Sequence, residues 1–153
     1  GARSAYHRLE ALLQEIIATK TDFCVITGGE PALYDLTGIS TLLKQNGIET
    51  AIETSGTAPL VGPIDWYCFS PKKFKPPVEE AYHKANELKV VINHPSDFAW
   101  AEGHAAKVNE SCRLYLQPEW SKQERFLKNI IDYVKENPKW KISLQTHKFM
   151  NIP

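Results

Sequence analysis

Phe23-Cys24-Val25-Ile26-Thr27-Gly28-Gly29-Glu30-Pro31 is an apolar run that ends in two glycines, an acid and a proline. Such a run reads as a buried strand that stops abruptly and opens its backbone. Adjacent glycines let the main chain approach a ligand where any side chain would intervene. Glu30 then sets a carboxylate beside exposed N–H and C=O groups, a cradle suited to an ammonium or amino-acid group. A tight strand-to-helix turn accounts for the same residues, so the neighbouring sequence has to decide.

Outward from this stretch, helical and strand patterns alternate. Upstream, Leu9, Leu12, Leu13, Ile16 and Ile17 recur at helical spacing. Downstream, Leu36, Ile39, Leu42 and Leu43 predict a second helix, with Asp35 as its cap and Gly47 at its end. Ile48–Glu53 and Trp66–Ser70 read as strands, and Pro76-Pro77 introduces a short helix over Val78–Ala85. Leu88–Ile92 is the next strand, Asp97–Val108 a helix, and Arg113–Gln117 a strand. Ser121-Lys122-Gln123-Glu124 has the capping-box pattern, and Leu127, Ile130, Ile131 and Val134 give its helix an apolar face that Asn137-Pro138 stops. Trp140, Ile142 and Leu144 alternate in a last strand. Alternation of this kind predicts an α/β fold with a mostly parallel sheet and right-handed crossovers, about five βα units at roughly 30 residues each.

In such sheets the functional loops leave the C-terminal ends of the strands. The unusual polar runs lie there: Thr27-Gly28-Gly29-Glu30, Glu53-Thr54-Ser55-Gly56, Ser70-Pro71-Lys72, Gln117-Pro118-Glu119 and Gln145-Thr146-His147. Convergence of five such ends on one rim is the expectation. Turn chemistry explains any one of them alone.

Composition excludes several classes. Of 153 residues, 42% are hydrophobic and 24% charged, which suits one domain, residues 1–153, with a single core. Lys plus Arg equals Asp plus Glu at 18 each, so no basic footprint for nucleic acid is present. No apolar run approaches the length of a spanning helix, and no signal peptide is visible. Cys24, Cys68 and Cys112 make no disulfide framework, and a reducing cytoplasm is expected. His7, His83, His94 and His104 lie outside any motif and show no metal-ligand spacing.

From Val25 to the last residue the motifs resemble those of radical S-adenosylmethionine enzymes, and within them the 7-carboxy-7-deazaguanine synthases. The residues that carry this are Val25 to Tyr34 with its GGEP segment, Glu53-Thr54-Ser55-Gly56-Thr57, and Asp65-Trp66-Tyr67-Cys68-Phe69-Ser70-Pro71-Lys72-Lys73. Leu116-Gln117-Pro118-Glu119 and the tail Ile142-Ser143-Leu144-Gln145-Thr146-His147-Lys148-Phe149-Met150-Asn151-Ile152-Pro153 complete them. The GGE segment is shared by many radical enzymes; SPKK and the tail are far more specific.

The resemblance implies an incomplete (β/α) barrel of the radical S-adenosylmethionine type, of which this chain is the larger C-terminal part. It implies a carbon–nitrogen lyase of queuosine and 7-deazapurine biosynthesis, a tRNA-modification pathway. The expected reaction converts 6-carboxy-5,6,7,8-tetrahydropterin to 7-carboxy-7-deazaguanine with loss of ammonia, through a radical made from S-adenosylmethionine by a reduced [4Fe–4S] cluster. Mg²⁺, a flavodoxin-like electron donor and a cytoplasmic homodimer are further expectations.

The family holds its cluster on three cysteines near the N-terminus, commonly spaced C-x3-C-x2-C, because the thiolates must meet on one metal core. Cys24, Cys68 and Cys112 are far apart and sit in or beside hydrophobic runs, so buried structural cysteines are expected. The first βα unit or so of the family is missing from this sequence, and the chain alone is expected to be inactive. No residue here is assigned to the cluster or to Mg²⁺, and no side chain is assigned as catalytic.

By the same resemblance, Gly28, Gly29 and Glu30 receive the amino group of S-adenosylmethionine and Thr27 faces the substrate; Glu30 alternatively fixes the loop. Ser55 suits the methionine carboxylate or ribose, with a plain surface loop as the alternative. Ser70, Pro71 and Lys72 match the segment that contacts the cofactor, while Lys73 and Lys75 are expected to be solvated. Gln117, Pro118, Glu119 and Trp120 match a loop that reads the adenine edge, or Trp120 is an exposed ring packed on the next helix. His147 and Pro153 are expected at the pterin, with a structural role for His147 left open. Two rivals stand beside this assignment: another radical enzyme such as a glycyl-radical activase, and a cluster-less binding or scaffold relative.

Overall fold

A computed structural model describes residues 1–144. Six strands form one sheet in the order of the chain: β1 (Phe23–Ile26), β2 (Glu49–Thr54), β3 (Trp66–Phe69), β4 (Glu87–Ile92), β5 (Arg113–Pro118) and β6 (Trp140–Ile142). Every neighbouring pair is parallel. Each link must therefore cross over, and helices do this after β1, β3, β4 and β5: α2 (Thr37–Gln45), α3 (Glu79–Lys84), α4 (Asp97–Ala105) and α5 (Gln123–Glu136). Between β2 and β3 the chain crosses as a loop, because Gly56, Pro59, Gly62 and Pro63 leave no stretch fit for a helix. The expected parallel α/β architecture holds, and its six strands fall on the six strand-like runs of the sequence. The sheet is open, as an incomplete barrel is.

Register separates the two faces of the sheet. Ile52 pairs with Tyr67, Phe69 with Leu88, Val90 with Leu116, and Leu116 with Ile142. That face meets Ala81, Ala101, Phe126 and Ile130 of the helices in one core. Ile52, Phe69, Leu88, Val90, Ile92 and Leu116 are all 0% exposed, and each such side chain contributes about 1.5–3 kcal/mol by leaving water. The opposite face carries Glu53, Cys68, Glu87, Lys89, Tyr115 and Gln117, from the alternate positions of the same registers. Glu102 of α4 ties the far end together, accepting bonds from Tyr133 Oη at 2.6 Å, Trp140 Nε1 at 2.8 Å and Lys139 Nζ at 2.5 Å.

Several local expectations need correction. The apolar stripe of α1 (Ala2–Ala18) packs Leu13 and Ile16 against α2, Cys24 of β1 and Ile48, so Leu13 is buried while Leu12 and Ile17 stay exposed. Asp35 does bond the start of α2, its Oδ1 accepting from Thr37 N at 2.9 Å, although Leu36 holds the cap position. The capping box at Ser121 does not form: its hydroxyl donates to Glu119, and α5 starts after Lys122 without a side-chain cap. Cys68 and Cys112 are buried as expected, but Cys24 is only half-buried because β1 is an edge strand. Among the described residues no helix is long and apolar enough to cross a membrane.

Candidate functional site

At the end of β1 the backbone turns through Gly28 at φ +94° and Gly29 at φ +54°. A Cβ built on either glycine meets nothing within 4 Å, so the conformation demands glycine there, and the main chain faces open space. Glu30 follows, capping the short 3₁₀ turn Pro31–Leu33 through Ala32 N at 3.2 Å. The same carboxylate accepts from Ser55 N at 2.8 Å and from the hydroxyls of Thr54 and Ser55. One side chain thus laces the β1 loop to the β2 loop. Burial pushes the Glu30 carboxyl up, but the Ser55 and Thr54 hydroxyls and the backbone N–H groups outweigh it and hold the group below its ordinary range.

The β2 loop is fixed in turn. Gly56 N donates to Thr54 Oγ1 at 3.1 Å, and Ser55 Oγ lies 3.1 Å from Thr57 Oγ1. From β3, Ser70 N donates to Thr54 O at 2.8 Å, which brings the SPK segment alongside. These three loops enclose a cavity of about 640 Å³ lined by Thr27, Gly28, Gly29, Glu30, Ser55, Ser70 and Lys72. Lys72 Nζ lies 3.4 Å from Ser70 Oγ. Burial and then the Lys89 charge lower the Lys72 pKa, and an anionic ligand beside it would push it back up.

A neighbouring cavity of about 370 Å³ shares Lys72 and Phe74 with the first and adds Pro71, Lys73, Asn93, Asp97, Trp100 and Glu119. Glu119 therefore reaches the rim from β5, joined to β4 by its N–H on Ile92 O at 3.0 Å. Gln117 is 5% exposed, and its amide oxygen accepts from Ser143 Oγ at 3.3 Å. Pro118 is buried in the strand and Trp120 lies exposed on the turn Trp120–Lys122. Of the five strand ends, β1, β2 and β3 meet at one cavity, and the β5 end reaches the adjoining one. His147 and Pro153 lie outside the described residues.

Four residues at these cavities carry no site assignment from the motifs. Glu53 lines the first cavity and pairs with Lys89 Nζ at 2.7 Å. Phe74 is 83% exposed at the wall between the two. Asp97 is 1% exposed, and Lys73, solvated as expected with 56% of its side chain exposed, also pairs with it. Alternation along β4 could have pointed to Lys89 as a charged residue on the open face; the partners of Asp97 and Phe74 had no local signal.

The donor sets discriminate between cofactors. Exposed glycine backbone beside the Lys72 ammonium at one cavity fits an amino acid head group such as that of S-adenosylmethionine. A cluster does not fit this part of the chain: among the described residues no group of three His, Cys, Asp or Glu side chains could hold a metal ion.

Comparison with known proteins agrees with the motifs. No family model matches. The 7-carboxy-7-deazaguanine synthase of Flavobacterium psychrophilum is 54% identical over 129 residues, covering 84% of this chain and 61% of that protein. The enzyme of that name from Synechocystis sp. is 43% identical over 141 residues, covering 92% of this chain and 67% of its relative. The crystal structure of QueE from Escherichia coli superposes with a TM-score of 0.78 at 30% identity, over 90% of this chain and 63% of the other. This chain thus spans only about two thirds of the proteins it matches. An identity of 43% across 67% of a relative's own length, with the superposition on the Escherichia coli structure, makes this chain a member of the 7-carboxy-7-deazaguanine synthase family.

Proposed function

We propose that this chain is the larger part of a radical S-adenosylmethionine lyase that converts 6-carboxy-5,6,7,8-tetrahydropterin to 7-carboxy-7-deazaguanine with loss of ammonia. The convergence of the β1, β2 and β3 loops on one cavity carries the proposal. S-adenosylmethionine, when bound, supplies the radical chemistry. The chain's own share is to bind, orient and shield.

In that role Gly28 and Gly29 offer backbone groups to the methionine ammonium, and Lys72 and the Ser70 hydroxyl meet its carboxylate. Glu30 accepts four bonds from its own protein and so acts mainly by holding Ser55 in place. Thr27 faces the remaining space, where the pterin would lie. Glu119 and the Pro71 wall border the adjoining cavity, of a size for the adenine end. The cluster and Mg²⁺ would be held by residues other than 1–144.

The test is reconstitution of the full-length gene product under anaerobic conditions with iron, sulfide, reductant, S-adenosylmethionine, Mg²⁺ and carboxytetrahydropterin. Mass spectrometry should find carboxydeazaguanine. Cofactor cleavage with the pterin left intact would instead indicate another radical enzyme, and failure to assemble a cluster in folded protein would indicate a binding relative.

A further inference from the structure

Asp97 is a carboxylate in the first turn of α4 with only 1% exposure. A buried charge of this kind is costly unless every lone pair is met. Oδ2 accepts from Asn93 N at 2.8 Å and His94 N at 2.9 Å, the residues that follow β4. Oδ1 is engaged by the Lys73 ammonium, which arrives from the loop after β3. Lys73 Nζ also lies 5.4 Å from the centroid of the Trp100 ring, one turn along α4. The next residues of that loop close a short antiparallel bridge between Lys72 and Lys75. The Ser70–Lys75 segment is therefore held at one end by the β3 ladder and in its middle by a single buried acid on the neighbouring unit.

Resting on the proposal that Ser70, Pro71 and Lys72 contact the cofactor, we infer that the Lys73–Asp97 pair is a positioning device that sets Pro71 and Lys72 against it. Lys72 and Lys73 are adjacent, so their side chains diverge: one lines the first cavity and the other is tied to Asp97. Releasing Lys73 frees the loop to carry Lys72 away from the space between the β1 and β3 ends. Misplacement by about 1 Å at a binding group can cost on the order of 100-fold in rate, and a partly restrained loop loses less.

Isothermal calorimetry with S-adenosylmethionine on the full-length protein tests this with Lys73→Met, Lys73→Arg, Asp97→Asn and the Lys73→Met/Asp97→Asn double variant. Lys73→Met keeps the stem and removes the charge; it should weaken cofactor binding about tenfold, a step of about 1.4 kcal/mol. Its melting temperature should stay within about 3 °C of the parent. Lys73→Arg should restore most of the affinity. The double variant should bind no worse than the weaker single variant, as two halves of one contact do. In turnover, the KM for the cofactor should rise with kcat kept. Affinity within twofold of the parent in Lys73→Met, or a lower melting temperature with unchanged affinity, overturns the inference. A parent that binds no S-adenosylmethionine would overturn the proposed function itself.

Discussion

Gly56→Ala isolates the point where the site is built directly on the core. Gly56 closes the Glu53-Thr54-Ser55 run at φ +72°, a conformation that costs an L-residue about 1–2 kcal/mol. A Cβ added there would stand 2.6 Å from Phe69 Cε2, 2.9 Å from Phe69 Cδ2 and 2.7 Å from Ala81 Cβ. Phe69 and Ala81 are both 0% exposed, so neither has space to withdraw into. The Gly56 backbone is also held, its N–H on Thr54 Oγ1 at 3.1 Å and its carbonyl on Val78 N at 2.8 Å. Overpacking of this kind adds about 1–3 kcal/mol, for a total loss of roughly 2–5 kcal/mol. For a chain of this size that corresponds to a melting temperature lower by roughly 5–15 °C.

Gly28→Ala is the matched control, since its φ is +94° but its Cβ would meet nothing within 4 Å. Only the conformational cost of about 1–2 kcal/mol applies there. Urea unfolding of both variants, compared at equal m-value, measures the difference. Equal losses in the two, or a loss under about 1 kcal/mol in Gly56→Ala, would refute the packing argument.

Glu30→Gln should weaken both stability and cofactor affinity, because an amide cannot accept at both ends and must turn an NH₂ toward a backbone N–H. Leaving such a donor unmet costs about 1–3 kcal/mol, and calorimetry together with urea unfolding would register it; a variant equal to the parent in both would remove the lacing role. The Glu30 carboxyl is lowered in the fold, so its stabilisation is complete above the ordinary carboxylate range and is lost as pH falls through the lowered value. His104 gives a separate signal at milder acidity. Its Nδ1 lies 2.9 Å from Tyr82 Oη, Nε2 has no hydrogen-bond partner among the described residues, and burial and then the Lys107 charge push its pKa below the ordinary 6.5. The unfolded chain takes up the proton first, so stability should be full above pH 6.5 and decline below it. His104→Phe should flatten the decline in urea midpoint just below pH 6.5, whereas an unchanged slope would place its origin elsewhere.

What the sequence made legible follows the range of the interactions involved. The strands, the parallel order and the glycine turn after Ile26 rest on local patterns, and each appears within a residue or two of its expected place. Local reasoning failed where one side chain had two suitors. Ser121 matches a capping box, yet Glu119 two residues back takes its hydroxyl, and the helix starts uncapped. Lys73 resembles its solvated neighbour Lys75 until the β3 and β4 loops are brought side by side and Asp97, 24 positions on, appears beneath it. Glu30 is the same case at the centre of the site. From the GGEP segment alone, Glu30 reads first as a ligand acid, with a loop-fixing acid as the alternative. The β1–β2 register pairs Ile26 with Ile52 and so delivers Thr54 and Ser55 to the carboxylate. The motifs therefore name the loops, while sheet register decides which of their side chains remain for a ligand. On this sheet it leaves glycine backbone, Thr27, Ser70 and Lys72 at the cavity for a ligand, while the Glu30 carboxylate beside them is engaged by its own protein.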